Sequence, residues 1–407
     1  MKSEGLDTTR SPQGDVAQYS KPFPIAQVHW ALPPVAGGVE THLADFTRLL
    51  VNRGHEVTLF TGRGKFEDLP HVSTVSCDLL DMDRYEEQQE YASDEVLADR
   101  LAAELGEELK QRNIRVVHGH NLHYFTPIPA MALDRLQKSM GLQLHHTYHS
   151  IWDHGSDDHI ARICSSWPGQ HAISQYIKDA CFEKFDICTI HTFTGVALDR
   201  FHEVPALRAE SASTDSRDQV VLLPARLMLE KGAELAVRML RRLRAENLPV
   251  RLILTSPTQT VDWDGKSEAF RQKIEAAVAG YGLGPYVELR SASFAEMPQL
   301  YAESDIVIYP SLYPEPLGLA PLEAAAMGRP VVVTRIGGLP ETVRDGETGY
   351  IIPPNDLEAL TDRVRTLLKD PELARRMGQA GKAHVSANFA LESYVDRMVE
   401  LYRTIPA

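Results

Sequence analysis

Two carboxylates eight positions apart, Glu315 and Glu323, with Gly318 between them, are the residues of this 407-residue chain best placed for chemistry. Asp305 to Tyr309 reads as an apolar strand, and Leu319 to Met327 as a helix stopped by Gly328-Arg329-Pro330. Glu315 then lies in the loop at the carboxyl edge of a sheet, and Glu323 lies inside the following helix. Free amides at Gly318 and Leu319 open that helix, and such amides attract phosphate. A carboxylate on each side of a phosphate seat suits a ligand with hydroxyl groups at both ends, and a nucleotide-sugar is such a ligand.

Two further segments carry the same chemistry. Arg226 and Lys231 follow the strand Val220-Val221-Leu222-Leu223. Arg226 offers a planar fork for two phosphate oxygens, and Lys231 a mobile point charge. Near the start, Ile25 to Trp30 reads as a buried strand that leads through Gly37-Gly38 into a helix, Val39 to Asn52, with Val39, Leu43, Phe46 and Leu50 at helical spacing. This is not the G-x-G-x-x-G dinucleotide fingerprint, so hydride transfer is not indicated. Paired glycines let a backbone approach a ligand closely at a helix N-terminus. From these residues alone, an ordinary tight turn explains them equally well. Arg238, Arg241, Arg242 and Arg244 read as the solvated face of a helix.

The elements that position these residues alternate between strand and helix throughout. Helices are expected at Asp94 to Arg112 and around Pro129 to Lys138. Strands are expected at Glu56 to Phe60, Val116 to His118, Leu142 to His146, Ala172-Ile173 and Cys188 to Ile190. Such alternation means parallel, doubly wound α/β sheets, with functional residues beyond the carboxyl ends of the strands. A polar, Ser/Asp-rich stretch from Glu210 to Gln219 reads as a linker between two similar halves, which implies a cleft.

Glu315-Pro316-x-Gly318-Leu319-x-x-x-Glu323 resembles the paired-glutamate motif of retaining glycosyltransferases of the GT-B fold, family 4. Pro224 to Gly232 resembles that family's Gly-Arg-Leu-x-x-x-Lys-Gly loop, and Thr147 to Ser150 its Thr-x-His-Ser. Gly195 to Phe201 resembles its Asn-Gly-Val-Asp-x-x-x-Phe, with Thr194 in place of Asn. Leu317 stands where Phe is more usual. The resemblance runs from about Pro24 to the C-terminus. It implies a GT-B architecture: two Rossmann-like doubly wound domains facing across a cleft. The expected division is a disordered tail (1–21), an acceptor-binding domain (22–210), a nucleotide-sugar-binding domain (211–388) and a C-terminal helix (389–407) that crosses back to the first domain.

The resemblance also implies roles. Gly37, Gly38 and Glu40 face the donor diphosphate, and Arg226 and Lys231 stabilise it as it leaves, without metal. Glu323 holds the ribose hydroxyls and Glu315 those of the transferred sugar, with the amides of Leu317, Gly318 and Leu319 nearby. His149 lies near the transferred sugar. The base rests against Arg290 to Met297, with Thr255 and Ser256 beside it. His118, His120, His123, Tyr124 and His154 either line the acceptor side or are structural. The implied activity moves a hexose-type sugar from a nucleotide-diphospho-sugar, with a UDP-sugar favoured, to a hydroxyl or amine of a small soluble acceptor. Its rivals are a sugar-nucleotide epimerase or a phosphorylase on the same fold, and a non-catalytic nucleotide-sugar-binding protein.

Composition narrows the setting. Lys and Arg total 42 against 56 Asp and Glu, a net charge of −14, which disfavours nucleic acid and anionic membrane as partners. No apolar run approaches the ~20 residues of a membrane span. The polar first 21 residues lack the apolar core of a secretory signal. Cys77, Cys164, Cys181 and Cys188 show no metal or disulfide spacing, and read as buried thiols of a reducing, cytoplasmic protein. Asp81-Met82-Asp83 and Asp262-Trp263-Asp264 spell Asp-x-Asp in expected loops, without the company a manganese site needs. The histidines between 118 and 159 contain no H-E-x-x-H. No metal and no cofactor are therefore expected.

Overall fold

The computed structural model describes residues 21–35, 37–66, 69–151, 158–202, 218–256 and 266–406. The N-terminal tail up to residue 20, His154, the Asp262-Trp263-Asp264 triplet and all but the last two residues of the expected linker lie outside the described residues.

Seven strands form the first sheet: β1 (Ile25–Val28), β2 (Val57–Thr61), β3 (Val72–Ser76), β4 (Val116–His120), β5 (Gln143–Tyr148), β6 (Gly169–Ala172) and β7 (Ile190–His191), in the order β3-β2-β1-β4-β5-β6-β7. Six form the second: β8 (Gln219–Leu223), β9 (Val250–Ser256), β10 (Val287–Ser291), β11 (Ile306–Tyr309), β12 (Val331–Thr334) and β13 (Gly349–Ile352), in the order β10-β9-β8-β11-β12-β13. Every pairing is parallel. Parallel strands need helical crossovers, and these cover both faces of each sheet, so its central strands are buried. Val220 to Leu223 and Val331 to Val333 meet that demand with continuous apolar runs, each residue at most 1% exposed. The fold is α/β, with a switch point between β1 and β4 in one sheet and between β8 and β11 in the other.

β4 and β5 break the apolar rule. His118, His120, His145 and His146 are fully buried in them, as is His171 in β6. Their polar nitrogens bond largely to one another and to neighbours: His145 Nδ1 lies 2.9 Å from His171 Nε2, and His118 lies 2.5 Å from the Tyr402 hydroxyl and 2.7 Å from Thr147 Oγ1.

Tyr402 belongs to the last helix, Leu391–Thr404. Its apolar face (Leu391, Tyr394, Val395, Met398, Val399 and Tyr402) packs into one cluster with Leu43, Phe46 and Leu50 of helix Gly38–Asn52. Burial of each such side chain stabilises by about 1.5–3 kcal/mol before entropy is counted. The segment is also stitched by backbone: Val196 N donates to Phe389 O and Leu391 N to Val196 O. Met398→Asp would undo this packing. No described helix is long and apolar enough to cross a membrane.

Several expectations are corrected. β5 runs on to Tyr148, while β7 is only two residues long, displaced from Cys188. It sits at the sheet edge, and Cys188 is exposed, unlike the three buried thiols. Asp81 to Asp83 is not a loop: a helix, Met82–Gln89, begins there, and Asp81 Oδ1 takes a 2.7 Å ion pair from Arg63.

Candidate active site

In doubly wound sheets the loops beyond a switch point diverge and leave a crevice. The loop after β1 carries Gly37 and Gly38, that after β4 Asn121, that after β8 Arg226 and Lys231, and that after β11 Glu315. His149 directly follows β5. The expected site residues thus sit at the carboxyl ends of central strands.

Glu315 and Lys231 meet. Lys231 Nζ lies 2.5 Å from Glu315 Oε1, and Ser311 Oγ lies 2.9 Å from the same oxygen. Glu315 is 6% exposed. Burial works against the Lys231 ammonium, but Tyr309 and Glu315 outweigh it and hold its pKa up at about 12. Lys231 is therefore charged at any physiological pH. Arg226 stands beside this pair, half-buried, and its guanidinium makes no hydrogen bond or ion pair with described residues. A guanidinium left with spare donors next to a neutralised ammonium–carboxylate pair is ready for an anion.

Gly318 caps the helix Leu319–Ala326 with φ +100°, a left-handed conformation that favours glycine. A Cβ there would also lie 2.6 Å from Leu339 Cδ2. Leu317 is buried and Leu319 half-buried. Glu323, one turn in, is buried and accepts a 2.7 Å hydrogen bond from the Tyr301 hydroxyl. Burial raises its pKa, against the opposing pull of Arg200 and of the Tyr301 hydrogen bond.

Gly37 caps the first helix with extended backbone, and Gly38 begins it with open space where a Cβ would stand. Glu40 Oε1 lies 3.5 Å from His29 Nε2. His149 is 5% exposed. Its amide donates to Asn121 Oδ1 at 2.8 Å, and its Nε2 lies 2.9 Å from His120 Nδ1. Burial, reinforced by His42 and His29, pushes the His149 pKa well below the ordinary value, so the ring is neutral at pH 7.

Other candidates fall outside the crevice chemistry. His118 bonds Tyr402 and Thr147, and both His123 Nε2 and the Tyr124 hydroxyl bond Ser150 O, at 3.1 and 2.6 Å. All three are buried and brace the ends of β4 and β5. Thr255 turns its hydroxyl to the carbonyls of Leu223 and Ala225. Arg290 is taken by Glu288 and Glu303.

Some site residues were not singled out from sequence. Tyr301 and Ser311 orient the two glutamates. Gly337 and Gly338 lie against the Glu315–Leu317 backbone so closely that a Cβ on either would sit 2.3 to 2.4 Å from a carbonyl oxygen, and Gly338 N donates to Glu315 O at 2.7 Å. Their diglycine before a short helix repeats the signal read at Gly37-Gly38. Glu341 joins the halves: its carboxylate accepts from the amides of Gln175 and Tyr176, each at 2.8 Å, while Ser174 Oγ donates to Pro316 O at 2.6 Å. Arg200 spans the same junction, pairing with Asp45 at 3.2 Å and donating to Phe294 O at 2.9 Å.

Residues 36–192 match the family described as Glycosyltransferase Family 4, and residues 207–384 match Glycosyl transferases group 1. The chain is 26% identical over 404 residues to a GDP-mannose-dependent alpha-(1-6)-phosphatidylinositol monomannoside mannosyltransferase of Mycolicibacterium smegmatis, covering 91% of this chain and 95% of that one. The sucrose-phosphate synthase of Thermosynechococcus elongatus superposes with a TM-score of 0.73 at 23% identity, over 93% of this chain and 98% of that one. HepE of Anabaena, solved in complex with UDP and glucose, superposes with a TM-score of 0.72 at 18% identity, over 93% and 99%. Matched in both of its halves, the chain belongs to the group 1 glycosyltransferases of family 4 and has their GT-B fold.

Proposed function

We propose that this glycosyltransferase moves a hexose-type sugar, with retention and without metal, from a nucleotide-diphospho-sugar to a hydroxyl or amine of a small acceptor. A UDP-sugar is the favoured donor. The observation that carries this reading is the Lys231–Glu315 pair at 2.5 Å beside the Arg226 guanidinium, which pairs with no described residue. The two cations suit a diphosphate, and the carboxylate suits sugar hydroxyls one bond further along the donor. Glu323, held by Tyr301, suits the ribose diol, and the amides at Gly318 and Leu319 suit the diphosphate. Residues 211–388 form the donor domain in this reading. Residues 22–210 form the acceptor domain, with His149 beside the transferred sugar, and 389–407 return to it.

In the step proposed, the bond from the anomeric carbon to the diphosphate oxygen breaks while the bond to the acceptor forms on the same face. The acceptor proton goes to a phosphate oxygen, so no protein nucleophile is required. Arg226 and Lys231 take up the charge that develops on the diphosphate. The complex of HepE with UDP supports a UDP donor, while the mannosyltransferase relative uses GDP-mannose by name. Four free cysteines support a reducing, cytoplasmic setting.

The test is nucleotide release from a panel of UDP-, GDP-, ADP- and dTDP-sugars, with slow hydrolysis standing in for transfer. Release from one donor, lost in Glu315→Ala and Arg226→Ala, supports the reading. A panel that gives neither release nor calorimetric binding overturns it.

A further inference from the structure

Ten histidines of the first half are buried among the described residues, and three of them converge across three elements: His42 of helix Gly38–Asn52, His120 at the end of β4 and His149 just after β5. One ring nitrogen from each lies within 4.8 Å of the other two, and all three side chains are at most 5% exposed. Two observations separate this trio from a satisfied structural cluster. First, His42 Nε2 is buried with no hydrogen-bond partner among the described residues. Second, two of the three outward nitrogens are already held: His42 Nδ1 lies 2.7 Å from Thr194 Oγ1, and His120 Nε2 lies 2.5 Å from Gln27 Oε1. A carbonyl oxygen only accepts, so His120 Nε2 carries the proton and its Nδ1 keeps the lone pair. This is how outer partners orient imidazoles that bind a metal.

We propose that His42, His120 and His149 form a three-imidazole site for a divalent transition metal of the zinc class, and that its occupancy inhibits the enzyme. Imidazole nitrogens suit zinc, cobalt, nickel and copper, while magnesium and calcium prefer oxygen. A tetrahedral ion with nitrogens at ~2.0–2.1 Å needs them about 3.4 Å apart. His120 Nδ1 and His149 Nε2, now 2.9 Å apart, open slightly, and since all the ligand atoms lie within 4.8 Å of one another no gap need close by more than about 1.4 Å. Water from the crevice fills the fourth position. His29, whose Nε2 lies 3.5 Å from Glu40 Oε1, flanks the trio. Inhibition rests on the function proposed above: a metal that holds the His149 ring removes it from the transferred sugar. The metal-free protein is then the active form.

The experiment titrates chelator-treated full-length protein with Co2+ and reads visible absorption, then competes with Zn2+ by calorimetry. The expected result is one Co2+ per chain with the intense d–d bands of a four-coordinate site. His42→Asn keeps a group near Thr194 but deletes the unpartnered nitrogen. It should weaken Co2+ binding at least roughly tenfold, and Thr194→Val, which only loosens His42, about tenfold. Zn2+ should slow donor turnover in wild type and do so at correspondingly higher concentration in both variants. Absence of these bands in the wild-type protein overturns the site, as does Co2+ affinity unaffected by His42→Asn and Thr194→Val together. Metal binding without any effect on turnover overturns the inhibitory role. A protein that turns over no donor fails the proposed function instead, and the cobalt spectrum still decides the metal site.

Discussion

Glu315→Gln removes one charge and keeps the side chain's shape. The Lys231–Glu315 pair it disturbs is 2.5 Å long, with side chains 15% and 8% exposed. At that distance and an effective dielectric of about 20, the attraction is about 7 kcal/mol. Desolvation of two buried charges takes back much of it. The balance is visible in the ammonium: burial lowers its pKa, Tyr309 and Glu315 raise it, and it stands at about 12 against an ordinary 10.5. That rise is worth about 2 kcal/mol for the charged form. It already contains the desolvation, so a loss of about 2–3 kcal/mol is expected, not 7. Because the folded pKa is raised, this stability is complete below 10.5 and is lost as pH climbs through about 12. The difference between wild-type and variant urea midpoints should therefore stay flat from neutral pH to about 10.

The same substitution should split the kinetic constants. Two charge-assisted hydrogen bonds to sugar hydroxyls are worth about 1.5–3 kcal/mol each. Realised in the transition state, their loss lowers kcat by roughly 100- to 10,000-fold. Lys231, freed of its partner carboxylate, should bind UDP as tightly as before or more so. Steady-state kinetics with the identified donor, together with UDP calorimetry, read both. A kcat within about threefold of wild type, or weakened UDP with kcat intact, would refute the placement of Glu315 at the sugar.

Three further outcomes are expected. Glu323→Gln should be more stable than wild type at pH 7, because burial raises this carboxyl's pKa; the difference should vanish below about 4.5, where the unfolded carboxyl is protonated, while nucleotide affinity falls about tenfold or more. Gly318→Ala should cost about 1–3 kcal/mol in denaturant melts, from the φ of +100° and the contact with Leu339, and should weaken UDP binding measured by calorimetry. A thiol reagent should label Cys188 rapidly in the folded chain and all four cysteines only after unfolding.

The division between what was legible in the sequence and what was not follows distance along the chain. Strand, loop and helix around Gly37-Gly38, Arg226–Lys231 and Glu315–Glu323 are encoded locally, by apolar runs, glycines and helix stops within about a dozen residues. Their placement at strand ends therefore follows without a structure. Doubly wound sheets follow too, since alternating strands and helices leave few other ways to cover both faces.

Contacts between segments were not legible. Lys231 and Glu315 are 84 positions apart, Tyr301 and Glu323 22, and Glu341 and Gln175 166. Which of these meet depends on strand order and register, and one position of slip turns every side chain of a strand to its other face. The exposure of Cys188 rests on a strand too short to cover it at the sheet edge. The histidines carry no metal spacing along the chain. Only the pairing of β1 with β4 and β4 with β5, and the packing of the first helix over them, brings His42, His120 and His149 together. Short-range backbone preferences wrote the loops, and long-range burial of the two sheets chose the partners.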